Sequence, residues 1–127
     1  MNRAVISLGS NIDPVEHIFK AREQISSEHT ILAESSIVKT EPIGFVDQPP
    51  FLNGAILIET DMDFEKLNDW MHQIEDQLGR VRVLNKYGPR TIDLDIVVWN
   101  GEVVDDDVRD RDYLSKSVLE VLPDLNL

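Results

Sequence analysis

The chain contains no cysteine, so disulfides and thiolate metal sites are excluded. A reducing cytoplasm is compatible with that composition. Aromatic residues make up only 6% of the 127 positions. No apolar run approaches the length of a membrane span. The N-terminal apolar stretch is short and broken by Gly9, Ser10 and Asn11, so it does not read as a signal peptide. Neither Gly-x-x-x-x-Gly-Lys-Ser/Thr nor Gly-x-Gly-x-x-Gly occurs, so any nucleotide must be held by side chains and metal ions. The three histidines, His17, His29 and His72, lack zinc-ligand spacing, and His17 and His29 read as surface residues. No nucleophile–base pair suggests covalent catalysis.

Basic residues are scarce as well. Twelve Lys and Arg face 24 Asp and Glu, giving a net charge of −12. Such a surface repels phosphate backbones and argues against nucleic acid as a partner. The expectation is a protein of the cytoplasm, acting as a monomer on small molecules, with no membrane partner. With 42% hydrophobic residues, residues 1–127 suit one domain with its own core.

What is present is organised. Arg3 to Leu8 reads as a strand ending in a Gly-Ser-Asn turn. Asp13-Pro14-Val15-Glu16 is a helix start with Asp13 as cap and Glu16 closing a capping box. That helix, carrying Val15, Ile18, Phe19 and Ile25, should end near Ser26-Ser27. Ile31 to Thr40 alternates as a second strand, and Phe51 to Glu59 is a third. Between them, a loop holds Pro49 and Pro50. Phe64, Leu67, Met71, Ile74 and Leu78 mark a second helix, capped by Asp63 and ended by Gly79. Ile92 to Trp99 is a fourth strand, and Leu114 to Leu122 a short helix stopped by Pro123. This order predicts an α+β, ferredoxin-like βαββαβ sheet with two helices packed on one face, plus a short C-terminal helix.

Chemistry concentrates in one region. Arg80, Arg82, Lys86 and Arg90 are four of the twelve basic residues, and no carboxylate lies among them. They read either as a solvated basic loop or as an anion site, since clustered guanidinium groups recognise phosphate. Asp93 and Asp95 follow immediately. Two apart in a strand, they point to one face while Ile92, Leu94 and Ile96 point to the core. They are either a solvated strand face or a hard-oxygen site for magnesium. Phosphoryl transfer needs both parts, cations on the phosphates and ligands for the metal. Phe51 and Asn53 share a strand face, where an aromatic ring and an amide can hold a flat heterocycle or simply pack the core.

The stretches Ile6-Ser7-Leu8-Gly9-Ser10-Asn11, Thr40-Glu41-Pro42-Ile43-Gly44, Asp47 through Ala55, Ile74-Glu75 through Arg82, and Tyr87-Gly88-Pro89-Arg90-Thr91-Ile92-Asp93-Leu94-Asp95-Ile96 run in the order of one known family. By them the sequence resembles the 6-hydroxymethyl-7,8-dihydropterin pyrophosphokinases of folate biosynthesis. The resemblance implies transfer of the ATP pyrophosphoryl group to the pterin hydroxymethyl, with release of AMP. It implies two magnesium ions on Asp93 and Asp95, and Arg80, Arg82 and Arg90 in a loop closing over ATP, with Arg80 and Arg90 catalytic. For the nucleotide it implies His72, Glu75, Tyr87 and Ile96. For the pterin it implies Thr40, Pro42, Ile43, Phe51 and Asn53, with Asp93 beside them and Tyr113 on the second face. The sequence departs from the family in two places. His72 stands where the family has Gln. After Trp99 a segment with a proline and a nucleotide-contacting His is missing, and Arg109 and Arg111 stand near the expected ATP arginines. Asp105-Asp106-Asp107 reads as a solvated loop. The competing reading is a pterin-binding relative whose nucleotide site has decayed.

Overall fold

In the computed structural model, residues 1–42, 47–79 and 91–127 are described. The elements are β1 (Asn2–Ser10), α1 (Pro14–Glu28), β2 (Thr30–Glu34), β3 (Val38–Thr40), β4 (Phe51–Thr60), α2 (Phe64–Gln77), β5 (Asp93–Trp99), β6 (Glu102–Val103), α3 (Asp107–Asp110) and α4 (Asp112–Val121). One antiparallel sheet runs β2-β4-β1-β5-β6, with β3 also paired to β4. Taking β2 and β3 together as the expected second strand gives the interleaved order of a ferredoxin-like sheet.

Alternation along β1 sorts the two faces. Ala4, Ile6 and Leu8 join a core with Ala21 and Ile25 of α1 and Leu67, Met71 and Ile74 of α2. Val5 faces the other way, into a second cluster with Val108, Leu114, Val118 and Val121. The C-terminal helices therefore cover the face opposite α1 and α2. The central strands are apolar on both sides for this reason.

Several local expectations are corrected. The single strand over Ile31–Thr40 is two strands, because Ser35 leaves the ladder: its backbone N–H donates to the Ala55 carbonyl and its Oγ accepts from the Ala55 N–H. The turn at Ser36 is held to α4, where the Glu120 carboxylate accepts from the Ser36 N–H and hydroxyl at 3.0 and 3.1 Å. Asp13 makes no side-chain cap and sits at φ 41°, so the capping box does not form. Asp63 does cap, accepting from the Lys66 N–H at 2.8 Å, and Gly79 adopts the left-handed φ of 85° that ends α2. Val15 and Phe19, read as apolar-face residues, are 74% and 60% exposed. His29 is buried rather than on the surface, packed edge-on against Trp70. Asp105–Asp107 is not simply a solvated loop, since Asp107 opens α3.

Candidate active site

β1, β4 and β5 meet at one end of the sheet. There Gly9 pairs with both Asn53 and Asp93, and Ser7 pairs with Asp95. Directly paired residues share a face, so Asp93, Asp95 and Asn53 all project toward the side covered by α3 and α4. They line a cleft of about 90 Å³ with Ser7 and Gly9. The opposite wall comes from the C-terminal segment and includes Asp105, Asp107, Arg111 and Tyr113. Ile92, Leu94 and Ile96 are buried on the other face, as alternation requires.

Asn53 is fixed from two sides. Its Nδ2 donates to Thr40 Oγ1 at 2.6 Å, which joins two residues of the expected pterin pocket. Its Oδ1 lies 2.9 Å from where a Cβ on Gly9 would stand. A side chain at Gly9 would therefore push the amide away, so this close approach calls for glycine. Phe51 starts β4, pairs with Thr40 and shares the face of Asn53, outside the described lining of the cleft. Pro42 follows β3 and is half-buried. Tyr113 lines the cleft itself, and Arg111 Nη1 reaches its hydroxyl at 3.4 Å.

The structure separates the two C-terminal arginines. Arg111 lines the cleft and is held by Asp107 at 3.7 Å. Arg109 is exposed, lies outside that lining and pairs with Asp106 at 3.7 Å. His72 is exposed on α2. Glu75 is 1% exposed, and its Oε2 accepts the Leu94 N–H at 2.9 Å, directly between the two aspartates. Ile96 is likewise in the core beside α2. Ile43, Arg80, Arg82, Tyr87 and Arg90 lie outside the described residues.

Sequence reasoning missed three contributors. Asn11 is buried at the end of β1 and donates to Gln48 Oε1 at 2.7 Å and the Pro49 carbonyl at 3.0 Å. It ties the proline-containing loop to the strand that carries Gly9. Asp105 and Asp107 were the other two; Asp105 Oδ1 accepts the Asp107 N–H at 3.0 Å. The Gly-Ser-Asn turn was a signal for the first, whereas nothing local marked the other two.

Asp93 and Asp95 are hard oxygen donors on a rigid strand, which suits magnesium. Among the described residues no group of three or more His, Asp or Glu is placed to hold a metal. Two protein carboxylates fit a magnesium site whose other positions go to water and phosphate oxygens. Also among the described residues, no helix is long and apolar enough to cross a membrane.

The sequence matches the family described as 7,8-dihydro-6-hydroxymethylpterin-pyrophosphokinase (HPPK) over residues 5–123. It is similar to the 2-amino-4-hydroxy-6-hydroxymethyldihydropteridine pyrophosphokinase of Haemophilus influenzae, at 37% identity over 139 aligned positions covering all of this chain and 86% of the relative. That alignment is longer than this chain, so gaps fall within it, in keeping with a shortened segment. The Bacillus subtilis protein of the same name is 40% identical over 82% of this chain and 64% of its own length. The folic acid synthesis protein fol1 of Schizosaccharomyces pombe is 37% identical over 96% of this chain, but over only 18% of its own length. With a family match that runs from Val5 in β1 to Pro123 just past α4, and with Asp93, Asp95 and Asn53 lining one cleft within it, this chain belongs to the HPPK family.

Proposed function

We propose that this chain transfers the pyrophosphoryl group of ATP to the hydroxymethyl group of 6-hydroxymethyl-7,8-dihydropterin, releasing AMP. The observation that carries the reading is one cleft lined by both the Asp93–Asp95 pair and the Asn53 amide. Metal ligands and a heterocycle-binding group on the same sheet end bring a phosphate donor and a flat acceptor together.

The chain's own residues divide the work. Asn53, oriented by Thr40 and by the bare Gly9 backbone, offers an amide to the pterin edge. Phe51 and Tyr113 supply aromatic faces for the ring. Asp93 and Asp95 would hold two magnesium ions, which would supply charge neutralisation at the phosphates and acidify the attacking hydroxyl. Arg111 adds a guanidinium at the cleft wall, and Arg80, Arg82 and Arg90 supply further positive charge for the triphosphate, Arg80 and Arg90 at the transferring group. His72, Tyr87 and Arg109 complete the nucleotide side, with Glu75 and Ile96 buried beneath it, and Pro42 and Ile43 complete the pterin side. The protein acts as a monomer in the cytoplasm on small-molecule substrates, a reading that its acidic, cysteine-free composition supports.

The test is AMP release from ATP and magnesium, with and without hydroxymethyldihydropterin. Pterin-dependent AMP is the expected result. Pterin binding with no AMP above background would instead establish a binding relative without transfer.

A further inference from the structure

Glu75 is a carboxylate in an apolar setting. It sits in the last turns of α2, whose other buried positions are Leu67, Met71 and Ile74. Packing alone would favour a leucine there, because a buried carboxylate is costly unless hydrogen-bonded. Among the described residues, its Oε2 accepts the N–H of Leu94, at 2.9 Å.

That amide has a special position. One edge of β5 pairs with β1, where Leu94 stands opposite Leu8. On the other edge, β6 pairs only with Val98 and Trp99. Among the described residues, the β5 edge at Leu94 is thus covered by a side chain and not by a strand. Leu94 is also the central residue of Asp93-Leu94-Asp95. The peptide planes on either side of it set the directions in which both carboxylates leave the strand.

We propose that Glu75 is a positioning residue: by accepting the Leu94 N–H it fixes the main chain between Asp93 and Asp95, and so aims both carboxylates into the cleft. The proposal rests on the reading of those aspartates as metal ligands. A carboxylate suits the task, since an ionised acceptor makes stronger hydrogen bonds than a neutral amide. Supporting contacts of this kind typically tune metal affinity by about 10–100-fold.

The test uses the full-length protein and the series Glu75→Gln and Glu75→Leu, with Asp95→Asn as control. Two quantities are measured: hydrogen exchange at the Leu94 amide, and Mn2+ affinity by water-proton relaxation with a non-hydrolysable ATP analogue present. Glu75→Leu should speed Leu94 exchange and weaken Mn2+ binding by about 10-fold or more. Glu75→Gln, a weaker acceptor of the same shape, should fall between it and the parent in both. Unchanged Mn2+ affinity in the Glu75 variants, with binding lost in Asp95→Asn, would overturn the proposal alone. Normal Mn2+ binding in Asp95→Asn would instead sink the metal reading of the strand. Should Glu75→Leu fail to fold, Glu75→Gln decides: parental Leu94 exchange or parental Mn2+ affinity in that variant would overturn the assignment.

Discussion

Asp95 of β5, opposite Ser7, and Gly9 of β1, opposite Asp93, line the same cleft and carry opposite kinds of information. Asp95 sets a carboxylate into the cleft. Replacing it by Asn removes a charge but little volume, so the fold should stand while turnover falls by about 10³-fold, several kcal/mol of transition-state charge stabilisation. Steady-state kcat beside a thermal melt checks this, and near-normal turnover would refute the assignment. Gly9 is an absence in the right place. A Cβ there would meet the Asn53 amide oxygen at 2.9 Å. Gly9→Ala should raise the pterin KM by about 5–10-fold, one hydrogen bond's worth, with a smaller effect on the KM for ATP. Equal changes in both would mean that the variant disturbs the strand rather than the amide. At this scale much of the site was legible. Residue types and i, i+2 spacing gave the carboxylates, while Gly9 looked like an ordinary turn residue.

The two long helices have similar sequence signals at their starts and different outcomes. Asp13 and Asp63 each precede a helix, but only the Asp63 side chain accepts an N–H bond; Asp13 makes no side-chain cap and takes a left-handed backbone instead. Asp63→Ala should therefore cost about 1 kcal/mol of stability. Asp13→Gly should be neutral or slightly stabilising, because glycine adopts a positive φ without strain. Urea unfolding of the two variants checks the contrast, and equal losses would contradict it. Element type and order were readable from periodicity. The break at Ser35 was not, since the sequence alternates straight through it. The kink depends on Ala55 of β4, and the next turn on Glu120 of α4, residues far away along the chain.

Across the whole molecule, His29 shows how burial and charge combine. The ring stacks edge-on against Trp70 and its Nδ1 meets Thr60 Oγ1 at 2.9 Å. Its Nε2 has no hydrogen-bond partner among the described residues. Desolvation holds its pKa below the usual histidine value, outweighing the nearby carboxylates Glu28 and Asp61. The unfolded chain therefore takes up the proton first as pH falls. Stability contributed by the neutral ring is fully present above the ordinary value of about 6.5 and is lost as pH drops below it. Chemical unfolding between pH 7.5 and 5.5 should show stability falling toward acid, and His29→Leu should flatten that slope. A slope unchanged in the variant would place the titration elsewhere.

The sequence by itself determined the alternation that puts Asp93 and Asp95 on one face, the order of the strands and helices, and the motifs that mark the family. These are properties of neighbouring residues, written at spacings of two to four. Only the tertiary structure decided which of two arginines lines the cleft, that Asp105 and Asp107 line it, and that Glu75 lies beneath the Asp93–Asp95 strand. Those facts depend on how α2 and the C-terminal helices pack on opposite faces of one sheet. Packing is a relation between distant segments, and no local pattern encodes it.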